Sequence, residues 1–389
     1  MIGNIVEYVH SYGYFDFKAL PFNAVDALVL AQFVYLKMES LLPVMEPGEA
    51  VSDHAVTLKM MQEDPEVEQL FVDSRFETNN RALFYSMCES KRFGDMKCMY
   101  CADHICTEDE TQFMALTCVL SDGSIKILYR GTDETIVGWK EDFNMAFQHP
   151  IPGQEAGKSY LQQVSEYITG EFDLIGHSKG GNLAVYAAMC VSEKIRQRIT
   201  KIYNLDGPGF RTEVYSTGSF EKIADRIIKI IPRSSIVGML LENHGDYKVV
   251  ESDGISLLQH DPYSWLVDRI DFVYAEEMDA RHRILDESLS EWVMSLPKEE
   301  VESFVNALYQ IVEASEATDL ISFTKNWTKS LAGMAGAIQN LDEETKKSIH
   351  RVMKSLADVS REKIRMETGH YFHNKIENLT NQFIGKEGM

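Results

Sequence analysis

Phe172-Asp173-Leu174-Ile175-Gly176-His177-Ser178-Lys179-Gly180-Gly181-Asn182-Leu183-Ala184 is the stretch whose reading decides the fold. A short apolar run, Phe172 to Ile175, predicts a strand. Small residues from Gly181 onward, with Ala184, Ala187 and Ala188, predict a helix that lies close against a sheet. Between them stands Gly-x-Ser-x-Gly at 176–180. The pentapeptide alone is short enough to occur by chance. A strand running in and a helix running out make it specific for a serine held at a sharp, strained turn. Such a turn needs residues without bulk two before and two after the serine, and Gly176 and Gly180 meet that need. It exposes the Ser178 hydroxyl and aims the positive end of the helix at the atom under attack. Ser178 is therefore the candidate nucleophile, and the backbone N–H of Lys179 a candidate oxyanion donor.

Upstream, Met96 to Tyr100 and Phe113 to Leu120 read as strands, Ser121-Asp122-Gly123-Ser124 as a turn, and Ile125 to Tyr129 as a third strand delivering Arg130-Gly131-Thr132. Downstream, Ala156 to Ile168 and Asn182 to Val191 read as helices. Ile199 to Leu205, Ile227 to Ile231 and Tyr247 to Val250 read as strands. The alternation predicts an α/β fold with a mostly parallel sheet covered on both faces. Before it lies a helical lead. Val25, Leu28, Val29, Gln32, Phe33 and Leu36 share roughly one face, Asn23 is placed to cap, and a second helical stretch covers about Val51 to Met87. From Arg283 onward the periodicity is helical only. The expected organisation is a lead over 1–95, a core over 96–275 and an all-helical C-terminal appendage over 276–389, placed to act as a cap.

The strand ending in Arg130-Gly131-Thr132, then Trp139 and Asp142, then the elbow, resembles the class 3 lipases. Most of the chain is also similar to a bacterial lipase-like family of the α/β-hydrolase superfamily. That similarity rests on Phe22-Asn23-Ala24-Val25-Asp26-Ala27-Leu28, Arg130-Gly131-Thr132-Asp133, Gly138-Trp139-Lys140-Glu141-Asp142, Gly-His-Ser-Lys-Gly-Gly, Asn204-Leu205-Asp206-Gly207-Pro208-Gly209 and Gln259-His260-Asp261-Pro262. The resemblance implies an α/β-hydrolase fold and an ester or lipid substrate. It also implies that Thr132 supplies an oxyanion N–H and that Trp139 and Asp142 brace its loop. Lys179 departs from lipases, which carry an apolar or amide residue there, and its side chain is expected to point to solvent.

In the hydrolase chain order the acid and then the histidine follow the serine. His260 follows the last core strand and a short loop, where the fold needs its base, whereas His244 reads as part of an exposed turn. The class 3 acid position, after Ile227 to Ile231, holds Ser234 and Ser235 and no carboxylate. Asp206, ending the strand after the nucleophile strand, resembles the acid arrangement of pancreatic-type lipases. Turn chemistry before Gly207-Pro208 explains it almost as well. Asp253, Asp261 and a dyad completed by Ser234 or water remain as alternatives.

The net charge of -22 sets the surface against phosphate backbones, so nucleic acid is not expected as a partner. With 44% apolar and 25% charged residues the composition is that of a globular protein. No basic-then-apolar leader and no membrane-length apolar run is read, and the six cysteines form no disulfide pattern, so a cytoplasmic protein is expected. Cys98-x-x-Cys101 with His104 and Cys106 lacks a second pair at zinc spacing; strand alternation is the better account, with Cys98 and Tyr100 on one face and Met99 and Cys101 on the other. Glu108-Asp109-Glu110 reads as a solvated loop, and Phe33, Tyr35 and Met38 as core or as lining for an acyl chain. No cofactor is called for, and a homo-oligomer is left open. Two functions stand: a serine ester hydrolase, or a non-catalytic hydrolase-fold module that binds a ligand or partner.

Overall fold

The apolar runs on either side of the elbow become neighbouring strands of one sheet. The computed structural model describes residues 2–44, 55–72, 76–106, 111–132, 141, 144–145, 148–235, 237–254, 256–276 and 278. The strands are β1 (Ile2–Gly3), β2 (Val56–Thr57), β3 (Lys97–Cys106), β4 (Thr111–Val119), β5 (Ile125–Tyr129), β6 (Phe172–His177), β7 (Ile199–Leu205), β8 (Ile227–Pro232), β9 (Tyr247–Val250), β10 (Val267–Asp268), β11 (Asp271–Phe272) and β12 (Tyr274–Ala275). The main helices are α1 (Ile5–Tyr12), α2 (Ala24–Phe33), α3 (Leu58–Glu63), α4 (Glu77–Glu89), α5 (Pro152–Tyr167) and α6 (Lys179–Cys190). Among the described residues the main sheet has nine strands in the order β12-β9-β8-β7-β6-β5-β4-β3-β2. Its centre, β5 to β9, is parallel, and β2 to β4 and β12 run antiparallel at its flanks.

Alternation along each central strand divides the core into two layers. Leu128, Ile175, Tyr203 and Leu205 face the layer built by Leu28, Phe33 and Phe84 of the N-terminal helices. Ile127, Leu174 and Ile202 face the opposite layer, with Leu161 of α5 and Leu183 and Ala187 of α6. The chain start is tied down beyond the helices: Ile2 pairs with Asp268 across β1 and β10.

Three local expectations change. The helix expected over Val51 to Met87 is broken. β2 leads into α3, which stops at Glu63 because Asp64 precedes Pro65 and is held extended (ψ 132); a 3-10 turn at Val67–Phe71 then precedes α4. Helix α2 is buried on all sides, from Val25 to Phe33, not along one stripe, because the sheet lies under it and α1 and α4 pack over it. In β3 the alternation fails at a bulge between Met99 and Ala102, where Tyr100 takes φ 55. The extra residue sends Cys98 and Cys101 into one core layer and Tyr100 into the other. Cys98 Sγ then lies 3.9 Å from Cys118 Sγ on β4.

The buried α2 carries one carboxylate, Asp26. It accepts from Arg92 Nε at 2.7 Å, from Arg92 Nη2, from Tyr8 Oη at 2.9 Å and from the Asn23 N–H at 2.9 Å. Both ion-pair side chains are fully buried. Asp26→Ala leaves the guanidinium uncompensated, and we expect a loss of about 3–5 kcal/mol in urea unfolding. A loss below about 1 kcal/mol would mean that water reaches Arg92 once the carboxylate is gone.

Among the described residues no helix is long and apolar enough to cross a membrane. The segments 108–110, 133–140 and 142–143, with Asp133, Trp139 and Asp142, lie outside the described residues, as does the C-terminal appendage apart from 276 and 278.

Candidate active site

β6 ends at His177 and α6 begins at Lys179, so Ser178 alone makes the turn, with φ 58 and ψ -134. A non-glycine residue there stores backbone strain. The glycines permit it. A Cβ on Gly176 would stand 2.1 Å from the Gly180 carbonyl carbon, and one on Gly180 would stand 2.1 Å from the Tyr129 carbonyl oxygen. The end of β5 and the start of α6 therefore touch, and no side chain fits between them.

His260 closes a 3-10 turn at Ser256–His260. Its Nε2 lies 2.9 Å from Ser178 Oγ and its Nδ1 2.6 Å from Asp206 Oδ2. An ionised carboxylate only accepts, so Nδ1 carries the proton and Nε2 is left to accept from the serine hydroxyl. Asp206 follows β7 in a left-handed conformation, φ 53, and is fully buried. Its N–H donates to Ile230 O at 2.8 Å, and its Oδ1 accepts from Ser235 Oγ. Ser235 in turn accepts from the Gly238 N–H at 2.9 Å. The turn-forming role weighed for Asp206 falls to a neighbour: the Gly207 N–H donates to Asn204 Oδ1 at 2.9 Å.

The other candidates sit elsewhere. Asp253 is exposed, and Asp261 accepts from the Tyr263 N–H at the head of the next turn. His244 stacks on Tyr215, with ring centroids 3.7 Å apart, and is paired with Glu242. Ser234 donates its N–H to Gln259 Oε1 at 2.8 Å, so it anchors the loop that carries His260. Beneath Asp206, the buried Lys229 Nζ donates to Gly238 O at 2.7 Å and to Asn243 Oδ1. Burial pulls its pKa down to about 7, against the attraction of Asp206.

Thr132 follows Gly131 at the end of β5, beside the elbow. A Cβ on Gly131 would stand 2.1 Å from Tyr35 Oη and 2.7 Å from His177 O, so only glycine lets the strand end pass there. The Lys179 side chain corrects the expectation that it points to solvent. It is fully buried, and its ammonium donates to Glu141 Oε2 at 2.7 Å and to Gln112 O and Oε1, both at 2.9 Å. Glu141 also accepts from the Gly153 N–H at 2.7 Å, in the first turn of α5. An ammonium adjoining Ser178 is thus paired inside the protein, and it ties the turn to β4 and α5.

Sequence reasoning foresaw none of the contacts made here by Glu141, Gln112, Ser235 and the pair Tyr35–His177. The signals were present but weak. Glu141 stands within the Gly138–Asp142 stretch, Ser235 at the class 3 acid position, and His177 within the elbow. Phe33 and Met38 belong to the core, but Tyr35 Oη lies 3.1 Å from His177 Nδ1.

Comparison with curated proteins finds no match. Among solved structures, one described as the crystal structure of M37 lipase is similar at 15% identity and a TM-score of 0.34, covering 56% of this chain and 70% of that one. The model of the Mbeg1-like family, which is lipase-like, matches residues 87–310, more than half of the chain, and the protein belongs to that family.

Proposed function

We propose that the protein is a serine hydrolase of carboxylic esters, with lipid or acyl esters as the substrate class. The observation that carries this reading is the unbroken hydrogen-bonded chain from Ser178 through His260 to the buried Asp206, built on a serine held at positive φ. In this reading His260 Nε2 takes the Ser178 proton as Oγ attacks the ester carbonyl carbon. The resulting oxyanion is held by the backbone N–H groups of Thr132 and Lys179. Its collapse expels the alkoxide, which receives the proton from His260. Water then gives a proton to His260, attacks the acyl-serine and releases the acid, and the proton returns to Ser178. Asp206 keeps the Nδ1–H tautomer throughout and stabilises the imidazolium.

A non-catalytic binding module is the second reading. Its support is the pair of serines at the class 3 acid position, and the contact of Asp206 with His260 weakens that support.

A fluorophosphonate probe is expected to label the native protein once, on the peptide that contains Ser178, and not after heat denaturation. Native protein that stays unlabelled under conditions that label a control lipase would refute the hydrolase reading.

A further inference from the structure

Tyr35 and His177 form a second polar pair against the candidate base. His177 lies on the strand face opposite Gly176 and is buried. Its Nε2 is 2.9 Å from the main-chain oxygen of His260. A carbonyl oxygen only accepts, so Nε2 must carry a proton. In a neutral imidazole Nδ1 is then an acceptor, and Tyr35 Oη, 3.1 Å away, is placed to donate to it. The preceding carbonyl, Gln259 O, accepts from Trp265 Nε1 at 2.9 Å. Two ring N–H groups thus hold consecutive peptide oxygens of the turn that presents His260. The two imidazoles also lie tilted against each other, with centroids 4.6 Å apart and planes 31° apart.

We infer that Tyr35 and His177 are positioning residues: the phenol holds His177 in its Nε2–H form, and that N–H fixes the main chain of His260. The inference rests on the serine-hydrolase reading of Ser178 and His260. In that reaction His260 becomes a cation while its Nε2 passes a proton between Oγ and the leaving group, so its place must not drift. Displacements near 1 Å at a reacting group cost about 100-fold. Tyr35 belongs to the segment just after α2, so the N-terminal helices take part in the site as well as in the core. Gly131 is what allows the phenol in, since any Cβ there would overlap Tyr35 Oη.

The test combines Tyr35→Phe with His177→Gln and His177→Leu in the full chain. Glutamine keeps an N–H that can reach the His260 oxygen but has no tautomers to choose between. Tyr35→Phe is expected to lower kcat for p-nitrophenyl butyrate about tenfold, with KM within about twofold, as for a group felt only through transition-state geometry. In the His177→Gln background the same change is expected to leave kcat within about twofold. His177→Leu should lose more kcat than His177→Gln. Nitrogen-15 histidine spectra should show His177 as one Nε2–H tautomer in the parent and as a mixture in Tyr35→Phe. A single unchanged tautomer in Tyr35→Phe, or an equal fall of kcat in both backgrounds, would overturn the inference. The tautomer is read without turnover, whereas an unlabelled Ser178 in the parent protein would count against the hydrolase reading instead.

Discussion

Ser178→Ala is expected to lower kcat for short p-nitrophenyl esters by about 10⁴–10⁶-fold, with the far-ultraviolet spectrum and unfolding midpoint close to those of the parent. The size follows from the role. Without Oγ there is no acyl-serine, and only oxyanion donors and substrate binding remain to accelerate attack by water. The fold should tolerate the change because the turn is secured by backbone contacts: the Ser178 N–H to Leu205 O at 2.9 Å and the Gly181 N–H to Ser178 O at 2.9 Å. His260→Ala should cost a similar factor, and the double substitution little more, because serine and histidine act as a unit. Turnover within about tenfold of the parent in Ser178→Ala would remove the nucleophile assignment.

If the proposed roles hold, Asp206→Asn is expected to cost on the order of 10⁴ in kcat, as loss of the acid's charge does in the Ser-His-Asp triad of serine proteases. The surroundings fix which way the new amide faces. Ser235 Oγ donates to Oδ1 in the parent, so an amide oxygen in that place keeps the bond and the NH2 faces His260. An N–H facing Nδ1 forces that nitrogen to accept and places the ring proton on Nε2. Nε2 then cannot take the Ser178 proton. Asp253→Asn and Asp261→Asn are expected to stay within about threefold of the parent, since the two imidazole nitrogens are engaged by Asp206 and Ser178. A large loss at either of them, with Asp206→Asn active, would move the acid to the histidine loop. The structural consequence for the parent is separate: a buried carboxylate with a left-handed backbone is held by Ser235, the Ile230 carbonyl and His260 together.

The serines at 234 and 235 illustrate how position in the chain and role in the site diverge. Read against the class 3 order they mark a missing acid. In the folded protein each supports the His260–Asp206 pair from the neighbouring strand end, Ser235 through Asp206 Oδ1 and Ser234 through Gln259. A parallel sheet brings the ends of β6, β7 and β8 to one rim, so a carboxylate from either β7 or β8 can face a histidine that reaches that rim.

What the sequence by itself determined is what neighbouring residues control. Gly176, Ser178 and Gly180 specify the elbow because the turn's φ and the close approach of α6 are demands on residues within a few positions. The alternation of Leu174 with Ile175 and of Ile127 with Leu128 specifies which side chains enter which layer, since strand geometry sets the period. The break at Asp64-Pro65 was legible for the same reason, although a reading by charge and periodicity passed over it. Tertiary structure alone decided the partners that come from far along the chain. Lys179 meets Glu141 from 38 positions away, and Tyr35 meets His177 from 142. Nothing local distinguishes a lysine at a helix start that faces solvent from one that turns inward. The choice depends on whether a carboxylate stands in its path, and that is set by the order of strands and helices. The same holds for Asp206, whose neighbours in sequence are those of a turn, and whose neighbours in space are an imidazole and a serine from the adjoining strand end.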